Sequence, residues 1–383
     1  MKVVGLFAGI GGIELGLNKA GHETTLLCEI DPAACAVLEH RFPDVPLHHD
    51  VRTLGKLPKG TELLAGGFPC QDLSQAGKTR GIGGRNSGLV NEIFRLLKRN
   101  DVPNVLLENV SFMLALGRGH AMRHVTAELE RLGYRWAYRV IDSRAFGLPQ
   151  RRQRLYLVAS RVLEPMELLM ADNHVDEQST DWHGRACGFY WTEGVRGLGW
   201  AVDAVPTLKG GSTIGIPSSP AIWMPDGGIV TPEIRDAERL QGFDPDWTKM
   251  AEKTGRKGFR WKLVGNAVSV PSAEWVGKKL ATGNGAVDMR VFDFDAESTW
   301  PTAAFGGPNQ RKLGVRVSLF PTLRMRPPLT EFLRFEPKPL SLKATVGFIS
   351  RLKSSSLRYP PEFMQALMRH AEKMRDQMEL AVA

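Results

Sequence analysis

Four side chains in this 383-residue chain have types and settings suited to covalent chemistry on an unsaturated ring. Cys70 stands in "GGFPCQDLS", directly after the apolar run 61–68, which predicts a strand. Glu108 falls near the end of "PNVLLENV" (103–110), another predicted strand. Arg152 and Arg154 lie in "QRRQR" (150–154), ahead of the strand candidate "RLYLVAS" (154–160). In a parallel sheet the first two strands end at one edge, and arginines preceding a third strand can approach it. A thiol, a carboxylate and guanidinium groups at one edge suit methylation of a poorly nucleophilic aromatic carbon such as C5 of cytosine. A thiolate adding at C6 turns C5 into an enamine-like nucleophile. Glu108 would hydrogen-bond N3, and an arginine at O2 would stabilise the developing charge. Each residue alone has a plainer reading, since a free cysteine is usually a small buried hydrophobe. Their shared edge is what argues for chemistry.

A methyl donor has a place in the same half of the chain. "LFAGIGGIELG" (6–16) puts glycines between a predicted strand and helix, where positive φ and close backbone approach are needed. Glu14 occupies the position of a dinucleotide motif's third glycine. Glu29, twenty positions after Gly9, ends the second predicted strand, where an acidic side chain can bind ribose hydroxyls. Asp50, in "HHDV", is placed to hold an adenine amino group. No Walker-type lysine pattern is present. A nucleoside cofactor without a pyrophosphate, such as S-adenosylmethionine, fits better than NAD.

The positioning elements alternate. Strands are predicted at 2–7, 23–30, 61–68, 103–110 and 154–160, and helices at 11–21, 31–42, 87–100 and 118–133. Asp31 reads as an N-cap with Pro32 in the first turn. Such alternation implies an α/β fold with a parallel sheet and helices on both faces. Residues 161–230 are loop-rich, 263–281 return to helical patterning, and the chain ends in a helix-like run at 361–380. The four cysteines show no CxxC and no zinc-type spacing, so neither a disulfide framework nor a metal site is expected, and His48–His49 reads as loop or strand edge. No apolar run nears the ~20 residues that span a bilayer, and the N-terminus reads as a strand. A cytosolic protein is expected. The net charge is +9, and Arg311–Arg358 holds eleven Lys/Arg against Glu331 and Glu336, which suggests a polyanionic partner.

Six segments in order resemble the DNA (cytosine-5)-methyltransferases: "FAGIGG", "GGFPCQDLS", "ENV" (108–110), "QRRQR", "RLQGF" (239–243) and "VGNAVSVP" (264–271). The resemblance implies an S-adenosylmethionine-dependent, Rossmann-like, mixed and mostly parallel sheet. It implies Cys70 as nucleophile, Glu108 at N3, and Arg154 near O2 with Arg152 beside it. It places Phe7, Gly9, Gly11, Glu29, Ile30, Asp50, Val51, Pro69, Leu89, Asn266 and Val268 around S-adenosyl-L-methionine. The segment 71–88, with Lys78, Arg80 and Arg85, corresponds to a loop that closes over DNA. A catalytic domain at 1–160 completed by 263–282, a target-recognition domain at 161–262, and a basic extension at 283–383 are expected. "TPEIRDAERLQGF" is offset from the family's usual spacing, with Asp236 in the acidic place. Double-stranded DNA is the expected partner. A monomer in a bacterial or phage-encoded restriction-modification setting, with a cognate endonuclease as possible companion, is the expected context. Methylation of tRNA on the same fold, and a non-catalytic DNA-binding homologue, are the alternatives.

Overall fold

The apolar runs read as strands become neighbours in one ten-stranded sheet. A computed structural model describes residues 1–68, 87–176, 180–211, 219–254, 258–283 and 289–382. It divides into two compact units. The first comprises 1–146, 153–176 and 267–324, and the second 147–152, 177–266 and 325–383.

The strands of the first unit are β1 (Lys2–Leu6), β2 (Glu23–Cys28), β3 (Leu47–His48), β4 (Leu63–Gly67), β5 (Asn104–Val110), β6 (Arg135–Asp142), β7 (Gln153–Ser160), β8 (Val291–Asp293), β9 (Ala303–Gly306) and β10 (Leu313–Val315). Their order across the sheet is β8-β10-β9-β6-β7-β5-β4-β1-β2-β3. From β3 to β5 all neighbours are parallel. Beyond β5 every pairing is antiparallel. Alternation alone predicts a parallel sheet; β7 runs opposite to both its neighbours, β5 and the strand absent from that reading, β6. The β6 sequence "RWAYRVID" buries seven of eight residues, so both faces are covered and no polar alternation marks it.

Helices α1 (Gly12–Lys19), α2 (Pro32–Arg41), α3 (Val90–Arg99), α4 (His120–Arg131), α5 (Pro165–Met170) and α6 (Val270–Thr282) complete this unit. Asp31 caps α2 by accepting bonds from the Ala33 and Ala34 amides. Because strand side chains alternate in direction, successive residues serve opposite faces. Val4, Leu64 and Leu107 pack with Phe94 of α3 and Met122 of α4. Val3, Leu63 and Leu106 pack with Leu17 of α1 and Val276 of α6. Gly16 lets α1 and α6 approach closely, since a Cβ there would lie 2.6 Å from the Ala273 Cβ. The predicted helical stretch 263–281 is two helices, Phe259–Asn266 and α6. Pro271 has no amide hydrogen and would clash inside a continuous helix, but it suits the first turn of a new one.

The second unit contains an antiparallel sheet in the order Ala201–Val202, Cys187–Phe189, Ala221–Trp223, Ile229–Thr231, Lys338–Pro339. The stretch 283–383, expected as one extension, is divided. Its part up to Arg324 belongs to the first unit, where β9 adds to β6 and in turn pairs with β10. Its part from Met325 belongs to the second. There Asp236, fully buried, accepts bonds from the Arg334 and Phe335 amides and pairs with Arg239, which also donates to the Phe332 carbonyl. Phe348 and Phe363 pack on Phe189 at 5.1 and 4.9 Å between ring centroids. Among the described residues no helix is long and apolar enough to cross a membrane.

Candidate active site

Gly67 and Glu108 face each other in the parallel register of β4 and β5. Cys70 and Pro69, which follow β4, lie outside the described residues, as do Lys78, Arg80 and Arg85. The strand that leads to Cys70 therefore ends beside Glu108. β7 runs antiparallel to β5, so its first residues sit opposite the last ones of β5, with Val110 facing Arg154. The Arg154 Nε lies 3.2 Å from Glu108 Oε1, and both side chains are largely buried. A carboxylate beside a guanidinium in a poorly solvated place is a strong, directional pair. A side chain at position 67 would crowd it, because a Gly67 Cβ would lie 3.1 Å from Glu108 Oε2. Val268 packs next to the same glycine, 3.8 Å from that Cβ position.

Asn109 contributes a role that the motif match did not assign. Its buried amide donates to the Phe68 carbonyl at 3.3 Å and its Oδ1 accepts from the Val110 amide. One side chain thus ties the end of β5 to the residue two positions before Cys70. The signal was present in "ENV": a polar amide in a buried strand must find partners.

Arg152 and Arg154 are separated by Gln153 but belong to different units. Arg152 is 1% exposed, and its Nη1 donates to the carbonyls of Leu208 and Gly265, both in the second unit. The neighbouring Gln150 is also buried; it donates to the Leu240 carbonyl and to Gln241 Oε1, and accepts from the Leu208 amide. Gln241 in turn donates to the Val264 carbonyl. "QRRQR", "RLQGF" and "VGN" are joined inside this unit by side-chain amides and one guanidinium. Asn266 follows at the end of its helix, exposed, with its Oδ1 2.3 Å from where a Gly210 Cβ would be.

At the cofactor end, β1 leads into a turn with positive φ at Phe7 (52°), Gly9 (56°) and Gly11 (80°). Positive φ at a phenylalanine is strained, a condition that often marks a functional turn. Among the described residues, a Cβ on Gly9 would meet nothing within 4 Å, so no described atom fills the space beside that backbone. Gly9 donates its amide to Glu29 Oε2 at 2.7 Å, and Glu29 Oε1 accepts from the Ile30 and Asp31 amides at 2.8 Å each. The carboxylate is fixed by three amides and keeps a lone pair on Oε2 for a further donor. Ile30 beside it is 62% exposed, an unusual state for a large apolar side chain and one that suits the face of a planar ring. Asp50 holds Arg52 in a two-pronged pair at 2.7 to 3.1 Å, which keeps its carboxyl below the usual range. Val51 is buried, and Leu89 is partly buried against the same core.

Glu14 points the other way, into the unit. It is 1% exposed, neither carboxyl oxygen has a side-chain hydrogen-bond partner among the described residues, and burial pushes its pKa up to about 8. Gly5 makes room for it, since a Cβ there would lie 2.1 Å from Glu14 Oε1. Among the described residues no group of three or more His, Cys, Asp or Glu is arranged to hold a metal ion.

Residues 1–185 match the C-5 cytosine-specific DNA methylase family. The chain is 47% identical to the Type II methyltransferase M2.BsuMI of Bacillus subtilis (strain 168), over 96% of this chain and 98% of that protein. It is 30% identical to the Type II methyltransferase M.NgoMIV of Neisseria gonorrhoeae, over 71% of this chain and 95% of that one. Among solved structures, the Dnmt2 methyltransferase of S. pombe aligns with a TM-score of 0.55 at 18% identity, covering 73% of this chain and 98% of that one. The Entamoeba histolytica methyltransferase EhMeth aligns at 0.53 and 13%, covering 73% and 97%. At such identities the two structures establish the fold alone. Near-full-length identity to a Type II methyltransferase, together with the family match across the half that carries Glu108 and Arg154, makes this chain a member of the C-5 cytosine-specific DNA methylases.

Proposed function

We propose that the reaction runs on a cytosine swung out of duplex DNA, with Cys70 forming a transient bond to C6. The observation that carries this reading is the Glu108–Arg154 pair beside the end of the strand that leads to Cys70. The Cys70 thiolate adds to C6, Glu108 shares a proton with ring N3, and Arg154 stabilises negative charge at O2. Base removal precedes this, because C6 is inaccessible inside the duplex; extrusion costs a few kcal/mol. Once C5 has gained the methyl group, loss of its proton to solvent and expulsion of the Cys70 thiolate restore the aromatic ring. Arg152 holds the Leu208 and Gly265 carbonyls and so acts through the backbone around Asn266.

S-adenosylmethionine fits the cofactor end and would supply an electrophilic methyl group. Space beside Gly9 that no described atom fills, a carboxylate anchored at Glu29 and an exposed Ile30 are what a nucleoside needs. Phe7, Gly11, Asp50, Val51, Pro69, Leu89 and Val268 complete the proposed pocket. For Asp50 to hold an adenine amino group, it must share its oxygens with Arg52.

The second unit is proposed to read the target sequence. The protein is proposed to act as a monomer in a bacterial cytoplasm, whether encoded by the host or by a phage, and alongside a cognate endonuclease. Transfer of labelled methyl from S-adenosylmethionine to C5 of duplex DNA, and not to tRNA, is the expected result. Duplexes containing 5-fluorocytosine should trap a denaturation-resistant complex with the wild type and none with Cys70→Ala. Wild-type turnover by Cys70→Ala would refute the covalent route.

A further inference from the structure

Residues 337–361 contain Lys338, Lys343, Arg351, Lys353 and Arg358 and no acid. This stretch forms the strand Lys338–Pro339 and the helix Leu342–Lys353, both in the second unit. Charge and packing are sorted cleanly on the helix. Thr345, Phe348 and Leu352 are buried. Arg351 is used internally, donating to the carbonyls of Glu193 and Trp191 at 2.8 Å each. At 100° per residue Lys343, Val346, Ser350 and Lys353 share the opposite face, and all four are exposed. Gly347 and Ser354 flank them, so the face between the two lysines is mostly small.

A solvated surface helix normally mixes both signs and forms ion pairs along its length. Here Lys343, Lys353 and Arg358 have no ion-pair partner among the described residues. Two lysines ten residues apart are separated by about 15 Å along the axis. Small side chains between them let a bulky, regularly charged partner come close. The helix is not free to drift, because Arg351, the Phe348 ring and the Lys338–Pro339 strand fix it to the unit.

We propose that this face is a phosphate-binding surface for the DNA backbone. It would add sequence-independent affinity to the unit we propose to read the target, and in that sense it rests on the proposed function. Contacts of this kind release counterions and show themselves in salt dependence.

The test is the salt slope of binding to mixed-sequence duplex DNA, measured with the full-length protein. Replacing Lys343, Lys353 and Arg358 by alanine should lower the slope of log K against log salt by about 0.9 per lost contact, up to about 2.7. A charge-keeping variant, Lys343→Arg with Lys353→Arg and Arg358→Lys, should retain the wild-type slope. Thermal unfolding of both variants checks that the surface changes leave the fold intact. A folded triple-alanine variant with the wild-type slope overturns the proposal, as does an equal loss in the charge-keeping variant. Methyl transfer by the wild type, measured separately, reports on the proposed reaction whatever the slopes show.

Discussion

Replacing Glu14 with glutamine should change how stability depends on pH, and by an amount the structure sets. The Glu14 carboxyl is buried between α1 and β1, and its pKa rises from 4.5 to about 8, mainly by loss of solvation, which outweighs a hydrogen bond from its own amide, with the Glu29 charge adding to the rise. In the unfolded chain the group releases its proton near its ordinary value. Between these two values the folded state holds a proton that the unfolded state has lost, so stability falls as pH rises. The loss is complete once the folded group ionises too, above about 8. At 1.36 kcal/mol per pKa unit, raising the pH from about 5 to about 7.5 removes roughly 3 kcal/mol. Glu14→Gln keeps the shape and cannot titrate. Other groups titrate alike in both proteins and cancel in the difference. Urea unfolding across this pH range should therefore give midpoints that diverge steadily, with the glutamine variant gaining on the wild type. Parallel midpoints at every pH would falsify the assignment of a neutral, buried Glu14.

Gly5→Ala should destabilise the first unit by about 1–3 kcal/mol, because its Cβ meets Glu14 Oε1 at 2.1 Å. Combining it with Glu14→Ala should recover part of that loss in the same urea titration. Asn109→Ala removes the donor to the Phe68 carbonyl. Adduct formation with 5-fluorocytosine DNA should slow while DNA affinity stays near wild type. Asp236→Ala leaves Arg239 and two amides without their acceptor and should lower stability by about 3–5 kcal/mol, seen as an earlier unfolding transition. Arg154→Ala should reduce kcat more than it raises KM, because its charge is proposed to matter most in the transition state.

The strands at 2–6, 23–28, 63–67 and 104–110 were legible because each is a short apolar run closed by a turn signal. The Asp31 cap and Pro32 start were legible because capping is local chemistry. β6 escaped because it is buried on both faces, and β8 to β10 escaped because strands of three or four residues carry little pattern. The site was legible as residue types: Glu108 and Arg154 meet, and Gly9 meets Glu29. What the spacing did not reveal was division of labour. Arg152 and Arg154 look equivalent in "QRRQR", yet one binds backbone carbonyls and the other a carboxylate. Nor did charge counting separate Arg351, spent inside the fold, from Lys343 and Lys353 outside it.

The second unit takes its last strand and three of its helices from residues 325–382. Phe189 therefore waits for Phe348 and Phe363, which a ribosome adds more than 150 residues later. During synthesis the first unit's β1 to β7 can assemble while the other unit still exposes an open sheet edge and an unfilled aromatic core. A chain cut short near its end would keep the full set of chemical motifs and lose the closure of that core. Synthesis past Phe363 is thus needed to close the core of the unit that we propose reads the target.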